Sequence, residues 1–385
     1  MAELFKDNLS LDKIWVLGAL IAKQAALYGI DFDEAHFHQR LAFYCREQGQ
    51  EEWSLLSLMQ RLRAAGEALH ASMPQKEGAD AVVATLSKHN DLSGWLSLVC
   101  CEYIAIHKNL SLEQGLQYLQ QLTQFFSAEF AIRQFILKQP QASLAILTTW
   151  LEHENHHVRR LISEGTRPRL PWGVRLPVLI QQPQWVMPLL LALRDDEEEY
   201  VRRSVANHLN DIAKDHPQLI IEIAQQWLAD EALVRLNSIQ RNNRVRLVRH
   251  ACRTLFKQGQ PEIMILFGYQ PADDVVCRLS SKQVKVDFFG DFEFELTLQK
   301  KSSKTNRLMV DYVLHFQQAN GKQGSKVFKW LDRCFDDAGC EHIVKKHSFK
   351  KISTRKYYPG IHRLDVMVNG IKKAQIEFEL LKSNT

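Results

Sequence analysis

The chain has 385 residues, of which 45% are hydrophobic and 24% charged, with a formal net charge of +5. That length suits two or three domains, and that composition excludes a disordered, collagen-like or disulfide-stapled chain. No apolar run approaches the ~18 residues of a membrane span. The charged start MAELFKDNLSLDK lacks the apolar core of a secretory signal, so a cytoplasmic protein is expected.

Seven cysteines lie scattered without a CxxC pair. They read as reduced, buried thiols rather than bridges, a zinc site or a cluster site. Net charge is −4 over residues 1–140, +2 over 141–270 and +7 over 271–385. This asymmetry suggests a polyanion touching the middle and the end of the chain. Scattered lysines that keep a β domain soluble would account for it equally well.

Residues 1 to about 268 read as helical, being rich in Leu, Ala, Gln and Glu with apolar spacings of three and four. Val158-Arg159-Arg160, Val201-Arg202-Arg203 and Val248-Arg249-His250 each open a helix-like run, and each follows an apolar helix near 140–152, 183–194 and 217–229. Helix pairs repeated at ~40–47 residues have the period of HEAT-type arrays. An earlier unit is marked by Ile132-Arg133. At 100° per residue, Val201, Val205, Leu209 and Ile212 share one stripe. Arg203, Asn207, Asn210 and Lys214 share the other, with Asp211 at its edge. In the next unit Arg246, Arg249, His250, Arg253 and Lys257 share a face. Guanidinium and amide groups so spaced suit a row of phosphates. The first arginine of each pair, such as Arg202 beside Asp195–Glu199, reads instead as a structural brace.

His153-Glu154-Asn155-His156-His157 fits HExxH, but zinc chemistry needs both histidines on one continuous helix. Here Asn155 reads as the N-cap of the second helix, so the motif falls on a junction. In Ser163-Glu164-Gly165-Thr166-Arg167-Pro168-Arg169-Leu170-Pro171-Trp172, Gly165 is expected to end a helix in a left-handed conformation, with an extended loop beyond. Glu164 at a helix C-terminus opposes the dipole and calls for a cation, either Arg167 and Arg169 or a ligand.

From about 275 the pattern changes to short alternating segments: VKVDF, FEFELTL, LMVDYVLHF, KVFKWL, HRLDVMV and QIEFEL, with Asn320-Gly321 and Asn369-Gly370 as turns. About seven strands in 110 residues suit an antiparallel immunoglobulin-like sandwich. The fold expected is therefore mostly α: a HEAT-like helical repeat array (α-solenoid) over 1–270, followed by a C-terminal β-sandwich over 271–385. The boundary is placed near Gly268–Asp274. Lys345, Lys346, Lys350, Lys351, Arg355 and Lys356 are expected in or beside a long loop ending Tyr357-Tyr358-Pro359-Gly360. Basic residues interleaved with aromatics suit a loop that tracks a nucleic-acid strand.

SEGTRPRLPW and YVRRSVANHLNDIAKDHP, with Ser127-Ala128-Glu129-Phe130-Ala131-Ile132-Arg133 and KKHSFKKISTRKYYPGIHRLDVMVNG, resemble the HEAT-like-repeat alkylpurine DNA glycosylases, in the branch that carries an immunoglobulin-like domain (AlkC). Gln134, Gly173 and His208 depart from that family's pattern, and none is a carboxylate. The resemblance implies hydrolysis of the N-glycosidic bond of cationic alkylated purines, chiefly 3-methyladenine, by a nucleoid-associated DNA repair enzyme. Such a base is already a good leaving group, so stabilising an oxocarbenium-like sugar and orienting water remain.

The resemblance points to Asp211, Glu164 and Glu129 as catalytic residues and to Trp172, Arg167 and Arg169 as substrate-binding. Arg203, Asn207, Arg246, Arg253, Lys257, Lys350, Lys351, Arg355, Lys356 and Tyr357 would bind DNA. No lysine is assigned as nucleophile, which implies a monofunctional glycosylase without lyase activity; a monomer without cofactor or metal is expected. Its partner would be double-stranded DNA containing alkylated bases. Structural roles stand beside these: Glu129 bracing Arg133 at i, i+4, Asp211 pairing with Lys214, and Trp172 in a core. A non-catalytic DNA-binding or scaffold array is the competing reading.

Overall fold

The computed structural model describes residues 5–47, 52–74, 78–86, 94–107, 109–301, 307–335, 339–352 and 355–382. In chain order its helices are α1 (Leu11–Leu27), α2 (Glu34–Glu47), α3 (Leu58–Ser72), α4 (Ala79–Thr85), α5 (Trp95–Ile106) and α6 (Leu112–Leu122). Then come α7 (Ile132–Lys138), α8 (Pro140–Thr148), α9 (His156–Gly165), α10 (Pro177–Gln181), α11 (Met187–Leu193) and α12 (Glu199–Ile212). The last are α13 (Pro217–Leu228), α14 (Asp230–Leu233), α15 (Ser238–Ala251), α16 (Arg253–Lys257) and α17 (Pro261–Leu266). The chain forms two compact units, Met1–His216 with Asp230–Ala251, and Pro217–Ala229 with Cys252–Thr385.

In the first unit α9 packs on α12 and α12 on α15, while α11 packs on both α9 and α12. Second helices of successive pairs thus lie side by side. Their apolar stripes do the packing: Val158, Leu161 and Ile162, then Val201, Val205, Leu209 and Ile212, then Leu247 and Val248, are all buried. Each such side chain contributes about 1.5–3 kcal/mol on burial. Val248 does not open its helix as expected. Asn237 and Gln240 exchange side-chain-to-backbone hydrogen bonds at 2.9 and 3.1 Å, and this capping box starts α15 at Ser238. Asn210 also departs from the expected exposed stripe, because α12 is covered on more than one side and buries it at 2%.

The second unit holds α13, α16 and α17 with a two-sheet sandwich. Its strands are β1 (Val275–Ser280), β2 (Lys285–Val286), β3 (Asp291–Lys300), β4 (Arg307–Gln317), β5 (Gln323–Cys334), β6 (Gly339–Ser348), β7 (Gly360–Val368) and β8 (Ile371–Leu380). The sheets run β1-β3-β6 and β2-β8-β7-β4-β5, antiparallel except for the short parallel pair β2–β8. Period-two burial turns Phe292, Phe294, Leu296 and Leu298 inward, in one core with Val310, Tyr312, Val366 and Phe378. Asn369 (φ 46°) and Gly370 (φ 80°) both have positive φ, as a two-residue primed turn requires.

The alternating segments omitted β1 and β6. β6 has one largely solvated face, so its sequence is polar. Lys345 and Lys346 are therefore strand residues opposite Phe294 and Glu293, beside the loop rather than in it.

A chain of alternating charges as candidate active site

Glu129, Glu164 and Asp211 come from separate places in the first unit. Glu129 lies in the turn before α7, Glu164 in the last turn of α9 and Asp211 in the last turn of α12. Two helix C-termini thus carry carboxylates that the dipole disfavours, and cations answer both. Arg160, one turn before Glu164, pairs with Glu129 and lies 3.4 Å from Glu164. Arg167 Nη1 donates to Glu164 at 2.7 Å, and its Nε donates to Asp211 at 2.8 Å. Lys214 Nζ donates to the other Asp211 oxygen at 2.8 Å. The order is Glu129, Arg160, Glu164, Arg167, Asp211, Lys214, with alternating sign throughout.

Two hydroxyls support the row. Ser127 Oγ donates to Glu129 at 2.8 Å and accepts from Arg160 Nη1 at 3.0 Å. Ser204 Oγ donates to Glu164 at 2.6 Å. Burial by itself would raise the Glu164 carboxyl, but Arg160, Arg167 and the Ser204 hydroxyl outweigh it and hold the group below its ordinary value. Asp211 is 1% exposed and Glu164 6%.

Arg133 is fully buried and donates to the carbonyls of Val174, Gly165 and Arg167 at 2.6–2.9 Å. Burial and nearby Arg167 push it down to about 10, so it stays charged at neutral pH. It therefore braces the loop after α9 and is not the partner of Glu129. Gly165 is helical and not left-handed. Its lack of a Cβ serves close packing, since a Cβ there would stand 2.5 Å from Ile132 Cγ2. The left-handed residue is Trp172, at φ 62°.

Trp172 is exposed and meets Phe5 edge-on at 6.1 Å. Arg169 does not help to neutralise Glu164; it grips Asp215 through Nε and Nη2 at 2.7 and 2.6 Å. Tyr200 and Arg160 stand inside sequence motifs, but neither is singled out there as a site residue. Their contact places the Arg160 guanidinium 5.0 Å over the Tyr200 ring, which in turn meets His156 and His157.

His153 precedes the helix, whose cap is Asn155 accepting from the His157 N–H at 2.9 Å, so the HExxH histidines do not share a helix. A groove of about 220 Å³ runs between α12 and α15, lined by Arg202, Arg203, Asn243, Arg246 and His250. Arg203 and Arg246 are exposed along it. Arg202 donates to the carbonyls of Asp196 and Glu197, the structural role expected of it. Asn207 is half-buried on α12. Arg253 and Lys257 do not continue α15: the helix breaks at Cys252 (φ −84°, ψ 7°), and both residues belong to α16 in the other unit.

On the sandwich, Lys350, Lys351 and Lys356 are exposed, the last two in a hollow they share with Phe289 and Ile352. Tyr357 is 6% exposed and belongs to the core. Arg355 Nη1 donates to the Tyr357 hydroxyl at 2.9 Å and the guanidinium lies over Phe316 at 5.1 Å. Tyr357 thus props Arg355 from within rather than facing outward.

The whole chain superposes on a solved structure, Pseudomonas fluorescens alkylpurine DNA glycosylase AlkC bound to DNA containing an abasic site analog. The TM-score is 0.87 at 30% identity, covering 99% of this chain and 100% of that one. Uncharacterized protein YhaZ of Bacillus subtilis (strain 168) is 34% identical over 330 residues, 86% of this chain and 89% of that protein. The chain belongs to the AlkC branch of the HEAT-like-repeat alkylpurine DNA glycosylase family. Residues 275–382 match the family described as "Uncharacterised protein YhaZ, C-terminal Ig-like domain". The AlkC architecture of helical repeats plus an immunoglobulin-like domain is the one described above. No described helix of this AlkC-type chain is long and apolar enough to cross a membrane.

Proposed function

We propose that this protein is a DNA repair glycosylase that hydrolyses the N-glycosidic bond of cationic alkylated purines, chiefly 3-methyladenine, in double-stranded DNA. The observation that carries the reading is the meeting of Glu129, Glu164 and Asp211, from three separate elements, on two shared arginines. The full-length likeness to a solved alkylpurine DNA glycosylase supports it.

In the proposed reaction the bond from C1′ to the purine nitrogen breaks and its electron pair leaves with the base. A purine that already carries a positive charge departs neutral and needs no proton. The sugar becomes cationic, and carboxylates beside it stabilise that charge. Asp211 would face C1′ and accept a proton from the water whose oxygen bonds there. Glu164 and Glu129 would deepen the negative potential, and Trp172 would offer its indole face to a cation. Asp211 is covered by Arg167 and Lys214 in the free chain. One cation must therefore turn aside when a duplex seats, and Lys214, on a flexible stem with its side chain 42% exposed, is the candidate. Arg203, Asn207 and Arg246 would hold phosphates from the array. Arg253 and Lys257, and separately Lys350, Lys351, Arg355 and Lys356, would do so from the second unit.

The test is product analysis of methylated duplex DNA incubated with the protein. Free 3-methyladenine and an intact abasic strand are the expected products. Binding that saturates without base release would leave a DNA-binding scaffold. A borohydride-trapped adduct would overturn the monofunctional part, since Lys214 lies close enough to Asp211 to be the amine involved.

A further inference from the structure

We infer that Arg160 is a positioning residue of the reaction, clamping Glu129 and Glu164 on one guanidinium so that the two carboxylates are held in fixed orientation toward the substrate. This rests on the glycosylase reading above. Four arginines surround the site, and they divide by what they hold. Arg133 donates to three backbone carbonyls, and Arg159 to the carbonyls of His153 and Glu154 and to Asp196. Those two fasten the scaffold. Arg160 and Arg167 spend their guanidinium groups on the candidate carboxylates.

Arg160 reaches across the repeat. Its Nη1 meets Ser127 Oγ and Glu129, from the turn before α7, while its Nη2 faces Glu164 on its own helix. Its Nε is buried without a hydrogen-bond partner. The plane of the guanidinium is thus set by two carboxylates and by the Tyr200 ring beneath it, rather than by backbone. That arrangement couples the two acids: moving one moves the cation that orients the other. A planar fork suits this task better than an ammonium, which has no fixed plane.

Glu164 is faced by Arg160 on α9, Arg167 in the following loop, Ser204 and Tyr200 on α12, and Arg133 on α7. Removing Arg160 takes away one of the two closest positive groups and leaves Glu129 across from Glu164 with less between them. The Glu164 carboxyl should then rise, because burial and like charge both favour the neutral acid.

The experiment compares wild type, Arg160→Gln and Arg160→Lys in single-turnover release of 3-methyladenine from methylated duplex over a pH range that extends from 8 down past the ordinary carboxylate range, far enough to include the wild-type acid limb. DNA affinity and a carbon-13 titration of the glutamate carboxyls are measured alongside. Arg160→Gln should lose about 100-fold in rate with affinity nearly unchanged, the size of effect that misplacement of a reacting group produces. Its acid limb should move up by about one pH unit. Arg160→Lys should restore the acid limb while recovering only part of the rate. A folded, DNA-binding Arg160→Gln with wild-type rate and an unmoved acid limb overturns the assignment. An inactive wild type in which Arg160→Gln still raises the Glu164 carboxyl overturns the glycosylase reading and leaves the charge clamp standing.

Discussion

Arg167 places Nε and Nη2 each 2.8 Å from the same carboxylate oxygen of Asp211. Both side chains are buried, so their attraction is little screened, and each depends on the other for charge compensation. Removing one partner strands the other. Asp211→Ala should therefore destabilise the first unit by about 3 kcal/mol, the low end for a broken buried pair because Arg167 retains Glu164. Urea unfolding followed by the α12 signals measures this; a variant as stable as wild type would mean that solvent screens the pair.

Gly165 makes a separate packing claim. A Cβ there would stand 2.5 Å from Ile132 Cγ2, between the end of α9 and the start of α7. Gly165→Ala should cost about 1–3 kcal/mol through overpacking, even though alanine favours helices. Thermal unfolding reads the difference. A stabilised variant would show that α7 can slide away freely.

His208 predicts a pH effect. Its Nδ1 donates to the Ser163 carbonyl at 2.9 Å, taking that nitrogen as the protonated one. Burial pushes its pKa down to about 3, with Arg167 and Arg133 adding to the effect. The folded state thus refuses a proton that the unfolded chain accepts near pH 6.5. Stability is complete above that value and falls as pH drops from about 6.5 toward 3. From pH 7 to 5 the loss from this residue is about 2 kcal/mol. His208→Asn should remove that share of the acid sensitivity, leaving the share of His157 in the first unit and those of His347 and His362 in the second. Unfolding midpoints of the first unit at the two pH values decide it; equal pH dependence in both proteins would contradict the neutral assignment.

Arg203 and Arg246 line the groove between α12 and α15 with exposed guanidinium groups. If they hold phosphates, alanine at either position should weaken duplex binding uniformly across sequences. Each should also reduce the slope of log affinity against log salt by about 1. Titrations at several salt concentrations test this, and an unchanged slope would remove the residue from the interface.

Much of this was legible in the sequence, for identifiable reasons. Alternation located the inward face of β3, and Asn369-Gly370 located a hairpin, because both signals are local. The three carboxylates were named through motif resemblance. The near partners are legible too, Arg167 for Glu164 at i, i+3 and Lys214 for Asp211 at i, i+3, and both pairs form. The distant ones are not, since Arg160 meets Glu129 across 31 positions and Arg167 meets Asp211 across 44. The local guess of Arg133 for Glu129 failed because α7 begins at Ile132, leaving Glu129 outside the helix where i, i+4 geometry does not exist. Tyr357 is placed among the DNA-binding residues by its basic neighbours, although the core claims its ring.

The central claim is that these carboxylates act on a sugar losing a cationic base. Single-turnover base release by Asp211→Asn tests it most directly, because the amide keeps the shape and can still accept from Arg167 or Lys214. Release should fall by at least about 100-fold while duplex affinity stays within a few-fold of wild type, as expected when charge stabilisation of a transition state is lost. Release at the wild-type rate from a folded Asp211→Asn protein would contradict the account.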